Sequence, residues 1–501
     1  MNLHSGFHEV ASGDKTAIVW KSVLADSVRG KGPEMTYLDR NSRTGWFAFL
    51  RREVELTPER LLCRKMLLDR NVLLRVGIGA SVWKRGLPIL LAVLILWADR
   101  GLVWGEDRCF WPQFHGPRRD NISDATGLAR SWPEGGPPLL WSVSGLGHGF
   151  SSVAVARGRI LTAGDRDDRT MITCMNLEGQ ILWQAENGPA WLGPVPGSRG
   201  TPTIDGAFVY HQNAHGDLAC FELETGRKIW HLNVLKEFGA ENIEWALAES
   251  PLIDGPRVIS CPGGPHTAVV ALDKRTGRLV WKSPSAGDKA GYCSPILAEW
   301  QGLRMIMVLT AKAFIGVNAD NGELLWRFAH ETPFDENITS PIFHEGFVFI
   351  STRTTGSVLL RVDVSGRQAS VIPVWRNLDL DNQHGGVILY KGYLYGASHV
   401  NQQGKWICVD WKTGQTQFME RPIGKGTLTL ADGMLFLMSE TGEVALAPAR
   451  PDRLEILSRF KLPRGGPGPY WAHPVVCDGR LYLRHSDRLF VYDVRNMVAK
   501  D

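Results

Sequence analysis

The sequence predicts an all-β protein, an eight-bladed β-propeller of four-stranded antiparallel blades closed by pairing its N- and C-terminal strands, with seven blades as the alternative. Three observations predict it. A short phrase, typified by "ALDKRTGRLVW" at residues 271–281, recurs along the 501 residues. Its copies repeat at roughly 40–50 residues, the length of a four-stranded blade. The composition, with 54 Gly, 28 Pro and 19 Trp, suits many short strands broken by turns.

The elements follow in chain order. Residues 1–83 show no sustained period of 2 or 3.6 over their first sixty positions, which predicts a poorly ordered extension or a gene-model artefact upstream of a true start at Met66. Residues 84–105 read as a signal peptide or short anchor. Lys84 and Arg85 precede an apolar run at 87–98, too short to span a bilayer comfortably, and Val103 and Gly105 offer a cleavage site. Export to the periplasm or the medium is therefore expected, with no stable membrane span after cleavage. Residues 106–140 form a lead-in segment, 141–494 the propeller and 495–501 a tail.

Strong copies of the phrase end at Trp183, Trp230, Trp281 and Trp326, at intervals of 47, 51 and 45 residues. Weaker copies reach Trp375, Phe418 and Phe460, and "GGPPLLW" sets Trp141 ahead of the series. Within the phrase an alternating strand runs into a D/N/E-x-x-T/N-G turn, whose Gly accepts positive φ, and a second strand ends in the aromatic. Another hairpin, such as "SPLIDGPRVISCP", precedes each phrase and completes four strands. One such unit cannot cover its own apolar faces, so neighbours must stack. Eight terminal aromatics give eight blades. The tail supplies three strands and the region around Trp141 the missing fourth, so the two ends share a blade. Trp183, Trp230, Trp281, Trp326 and Trp375 are expected to dock against the next blade, each worth about 2–3 kcal/mol. Cys174, Cys220, Ala271, Gly316 and Cys408 occupy one slot of the phrase and are expected to be small core residues.

The net charge of +4 is small and dispersed, which argues against a nucleic-acid partner. The eight cysteines include no adjacent pair and no C-x-x-C, so zinc and dithiol chemistry lack their spacing. Cleavage at the signal leaves an odd seven, so at least one thiol is free or paired with another chain.

The A-x-D-x-x-T-G-x-x-x-W phrase resembles the repeat of the pyrroloquinoline-quinone (PQQ) propellers, a superfamily containing the quinoprotein alcohol dehydrogenases and the propeller lipoprotein of the outer-membrane β-barrel assembly machinery. The resemblance covers 141–494. The lead-in "FWPQFHGPRRDNISDATGLARSWPEGGPPLLW" also looks like the start of exported PQQ-like propellers common in planctomycete-type bacteria. The dehydrogenase side of the resemblance implies PQQ, a calcium ion held by a Glu and an Asn, an Asp base and a lid of adjacent cysteines. This chain has no adjacent cysteine pair and no c-type haem motif, and "VWGEDRC" before Cys109 departs from a lipobox.

In a propeller, residues just before each innermost strand face the central funnel. The positions here are His148, Arg199, Glu249, Tyr292, Asn337, His384, Lys425 and His473, one per blade. Together they suit a small polar or anionic ligand. Glu249 and Asn337 are the candidate calcium pair, and Arg199 or Lys425 the candidate contacts of quinone carboxylates. His384 and His473 lack the local pairing of a transition-metal site. The expected function is a binding scaffold for a small polar ligand or another exported protein, acting through the funnel face. The alternative is a PQQ- and calcium-dependent alcohol dehydrogenase of the polyvinyl-alcohol type.

Overall fold

Eight sheets, each with four antiparallel strands and one of them extended by a short parallel strand, make up the described part of the chain. The computed structural model describes residues 109–496. The predicted extension at 1–83, the predicted signal or anchor at 84–105 and the end of the tail lie outside the described residues. Blades one to seven span 154–189, 203–233, 252–282, 296–329, 342–377, 387–420 and 426–461. Blade eight combines three strands between 475 and 493 with Leu139–Val143, and Trp141 pairs with Val491. The two ends of the ring thus share one sheet, as the repeat count requires. Among the described residues no helix is long and apolar enough to cross a membrane.

Hydrophobic clusters fill every interface between consecutive blades. The cluster joining blades one and two contains Leu161, Cys174, Val209 and Phe221. The one joining blades eight and one contains Val155, Ile160, Val475 and Tyr482. The other interfaces are filled in the same way. Removing this apolar area from water is what stacks units that could not stand alone.

The phrase works across these interfaces. The indole of Trp183 lies over Gly226 in the turn of blade two, so closely that a Cβ at Gly226 would sit 2.6 Å from a ring carbon. Its Nε1–H donates to the Leu223 carbonyl at 2.9 Å. Trp141, Trp230 and Trp375 repeat both contacts on blades one, three and six. Trp281 lies over Gly322 in the same way, although its Nε1 has no partner. Trp326 differs: it packs within its own blade over Gly316 and edge-on to Phe314, at 5.0 Å between centroids.

Directly across the sheet, Cys174 faces Trp183, Cys220 faces Trp230, Ala271 faces Trp281, Gly316 faces Trp326 and Cys408 faces Phe418. The slot is small because an aromatic ring stands opposite it. A β-bulge lies next to each of these pairs. Five cysteines, Cys174, Cys220, Cys261, Cys293 and Cys408, are free and buried among the described residues. Cys109 and Cys477 form a disulfide.

The lead-in segment is part of the ring's interior. Trp111 exchanges backbone hydrogen bonds with Val155 on the innermost strand of blade one, and the Pro112 carbonyl accepts from Ile204 of blade two. Buried Arg119 donates to the Ser250 carbonyl at 3.2 Å and to the Pro295 carbonyl at 3.0 Å, between blades three and four. Ile122–Ser123 then adds a parallel strand to Gly426–Ala431 of blade seven. The chain therefore crosses the centre, touching innermost strands on opposite sides, and the disulfide fixes its start to blade eight.

Candidate functional site

Above this crossing segment lies a cavity of about 340 Å³. Its floor includes Phe114 and His115 from the lead-in, and its walls come from the loops that precede the innermost strands. Aromatic rings dominate, among them Phe150, Trp245, Tyr292 and Trp471. Trp245 is carried by an insertion between blades two and three. That insertion starts with the short helix Val234–Phe238, capped by the Asn233 side chain, which accepts from the Lys236 N–H. Trp471 stacks on His384 at 3.9 Å and donates its Nε1–H to Glu440 at 2.8 Å.

Of the eight sequence-derived candidates, Arg199, Tyr292, His384 and His473 line this cavity. His148, Glu249, Asn337 and Lys425 do not line it. His148 bonds Ser486 through Nδ1 at 2.7 Å and packs edge-on to Phe150. Lys425 pairs with Glu440 at 2.7 Å and meets His399 Nδ1 at 2.8 Å. The Asn337 amide donates to the Thr310 and Ala311 carbonyls, and its oxygen accepts from the Thr332 hydroxyl. Glu249 is buried, accepts from the Cys261 N–H at 2.9 Å, and burial pushes its carboxyl up to about 8.

The two residues expected as a calcium pair thus have partners within the protein. The Asn337 oxygen accepts from the Thr332 hydroxyl, and burial raises the Glu249 carboxyl to about 8. Among the described residues no cluster of three His, Cys, Asp or Glu side chains is placed to hold a metal ion. The two cations expected at quinone carboxylates are also engaged within the protein. Arg199 donates to the Gly197, Val195 and Pro194 carbonyls of its own loop, and Lys425 is ion-paired. The residues present do not fit a calcium-bound polyanionic quinone.

Several cavity residues escaped the sequence reading. Phe150, Gln383 and Trp471 sit one or two positions from His148, His384 and His473, so the right loops were found but not the right side chains. Phe114 and His115 belong to a segment outside the repeat and gave no periodic signal. Burial holds His115 and His384 well below the ordinary imidazole range, with nearby His473 adding to the effect on His115 and Lys425 to that on His384. His473 falls to about 4 for the same reason. The cavity is thus lined by uncharged imidazoles.

Two buried polar atoms at the cavity have no partner, Gln383 Oε1 and His384 Nδ1. Val195 of the lining holds left-handed backbone at φ 53°, as do Phe334 at 61° and Asp335 at 56°, which precede the lining residue Glu336. Val195 and Phe334 nonetheless expose 37% and 66% of their surface. Conformations of this sort cost about 1–3 kcal/mol each and concentrate where a surface is used.

Comparison with known proteins agrees with this architecture. The PQQ_2 family, described as outer membrane protein assembly factor BamB, matches residues 138–262 and 168–420. The outer membrane protein assembly factor BamB of Shewanella oneidensis is 24% identical over 331 residues, which cover 62% of this chain and 78% of that protein. The crystal structure of BamB from Moraxella catarrhalis superposes with a TM-score of 0.52 at 14% identity, covering 72% of this chain and 98% of the other. Quinohemoprotein alcohol dehydrogenase from Comamonas testosteroni gives a TM-score of 0.55 at 11% identity, covering 77% and 80%. At these identities the two solved structures share the fold.

Proposed function

Because the chain belongs to the PQQ_2 family, described as outer membrane protein assembly factor BamB, we propose that it is an exported binding propeller that captures a polar ligand or a segment of another exported protein in its funnel cavity. The observation that carries this reading is the cavity itself: aromatic walls around a buried Gln383 oxygen that nothing in the protein satisfies. An unmet buried acceptor costs free energy, and a ligand donor removes that cost. The strained, exposed Val195 in the lining supports a contact face.

The disulfide between Cys109 and Cys477 supports an oxidising compartment, the periplasm or the medium. The quinoprotein alternative draws on the shared fold, and the committed donors of Asn337, Arg199 and Lys425 weigh against it. No side chain of the cavity is assigned a catalytic role.

A fragment screen by ligand-observed NMR on the full chain tests the reading. Fragments should bind, lose binding in Trp245→Ala, and keep it in Leu279→Asp on the outer strand of blade three. Absence of any fragment sensitive to Trp245→Ala would overturn the proposal.

A further inference from the structure

We infer that the funnel cavity takes the uncharged ring of a polyhydroxylated ligand, a carbohydrate unit whose hydroxyls meet Gln383, His115 and His399 and whose C–H faces lie against the aromatic walls. This rests on the reading of the cavity as the binding site and adds the class of ligand.

Hydrogen-bond polarity fixes what each group offers. The Gln383 Nε2 donates to Glu336 Oε2 at 2.7 Å. A carboxylate only accepts, so the amide cannot be flipped and its unpartnered oxygen is an acceptor. His473 Nε2 lies 2.9 Å from the His384 carbonyl, which also only accepts. The proton of His473 is therefore on Nε2, and its Nδ1 accepts from His115 Nε2 at 3.1 Å. That leaves Nδ1 of His115 as a lone pair on a ring lining the floor. His399 Nδ1 faces the Lys425 ammonium, which only donates, so the proton of His399 is on Nε2 as a donor.

Gln383 Oε1 and His115 Nδ1 thus offer acceptors and His399 Nε2 a donor, each from a different segment of the chain, and His384 Nδ1 adds a further unpartnered atom. Charge is neutralised around them. Both oxygens of Glu336 are paired with Arg353, at 2.9 and 2.8 Å. Lys425 is paired with Glu440, and Arg199 is engaged with three carbonyls. A carboxylate or phosphate ligand meets only cations already engaged, and an ammonium ligand meets a carboxylate already paired. Hydroxyl groups donate and accept at once, and a sugar ring also carries apolar C–H faces suited to Phe150 and Trp245. The volume lies within the range of small-molecule sites, about 300–1,000 Å³.

Titration calorimetry of the full chain with glucose, N-acetylglucosamine, cellobiose and lactose, beside glucuronate and adenine, tests the inference. At least one neutral saccharide should bind, and glucuronate should bind no tighter than glucose. Gln383→Leu should weaken the saccharide at least tenfold with the melting temperature unchanged. If that variant fails to fold, Phe150→Ala should weaken it by a similar factor. Binding of adenine but of no saccharide, or saccharide binding indifferent to both substitutions, overturns the carbohydrate assignment and leaves the cavity as a site. Failure of every probe, together with failure of the fragment screen, overturns the site as well.

Discussion

His115 Nε2 lies 3.1 Å from His473 Nδ1, joining a residue of the lead-in segment to one of blade eight across 358 positions of sequence. Through this contact the floor of the cavity and its wall are one hydrogen-bonded unit. Disturbing the lead-in should therefore disturb the site.

The disulfide offers the direct means. Cys109→Ser, or reduction of the wild-type protein, releases the start of the lead-in from Cys477, a closure spanning 368 residues. Loss of about 2–5 kcal/mol is expected. Thermal melting with and without reductant checks this, and ligand binding should fall in parallel because Phe114 and His115 lose their anchor.

Arg119 is the second anchor. Arg119→Met leaves the Ser250 and Pro295 carbonyls without their buried donor while keeping much of the side chain's bulk. Denaturant unfolding should show a loss of about 2–5 kcal/mol. An unchanged midpoint would mean that the crossing segment contributes little.

The interlocking phrase separates two roles of its glycine. Gly226 at φ +71° lies beneath Trp183, whereas Gly366 at φ +62° has open space where a Cβ would be. Gly366→Ala should cost only the left-handed strain, about 1–2 kcal/mol. Gly226→Ala should cost clearly more, and Trp183→Ala about 3–5 kcal/mol. Equal melting shifts for the two glycine variants would refute the docking role of the indole.

The pH dependence of stability has a sign set by Glu249. Its folded carboxyl holds a proton up to about pH 8, because burial outweighs the nearby Arg119, while the unfolded chain releases it around the ordinary 4.5. Between these values the folded state binds more protons, so stability falls as pH rises through the window. His473, lowered to about 4 by burial, acts oppositely and adds stability as pH rises from about 4 toward 6.5. Glu249→Gln should remove this decline, a difference on the order of a few kcal/mol by pH 9. Melting curves from pH 5 to 9 for both proteins check it.

Val195 tests strain against use. Glycine accepts its φ of 53° without penalty, so Val195→Gly should leave stability unchanged or raise it by about 1 kcal/mol. Binding in the cavity should weaken at the same time.

How far the sequence could be read follows from where its regularity lay. The D/N/E-x-x-T/N-G turn and its terminal aromatic recur because every blade solves the same packing problem, so blade number, strand order and ring closure were legible. The small slot at Cys174 or Gly316 was legible as a slot, though the reason for it, the ring standing opposite, needed the sheet register. The Trp326 position was misleading, since the same letter packs inside its own blade there.

The cavity was half legible. Arg199, Tyr292, His384 and His473 come together because repeat geometry sends each pre-strand loop to the centre. Which neighbouring side chain turns inward is fixed by contacts between blades, and so Asn337 is bound to backbone carbonyls while Gln383 keeps an unmet oxygen.

The sequence alone determined the ring, because a repeated local pattern has one way to bury its apolar faces, by stacking on copies of itself until the ends meet. Only the tertiary structure decided what fills the centre. A single unrepeated segment, from Cys109 to Ser123, reaches the innermost strands of several blades at once, and contacts so distant in sequence leave no period to read.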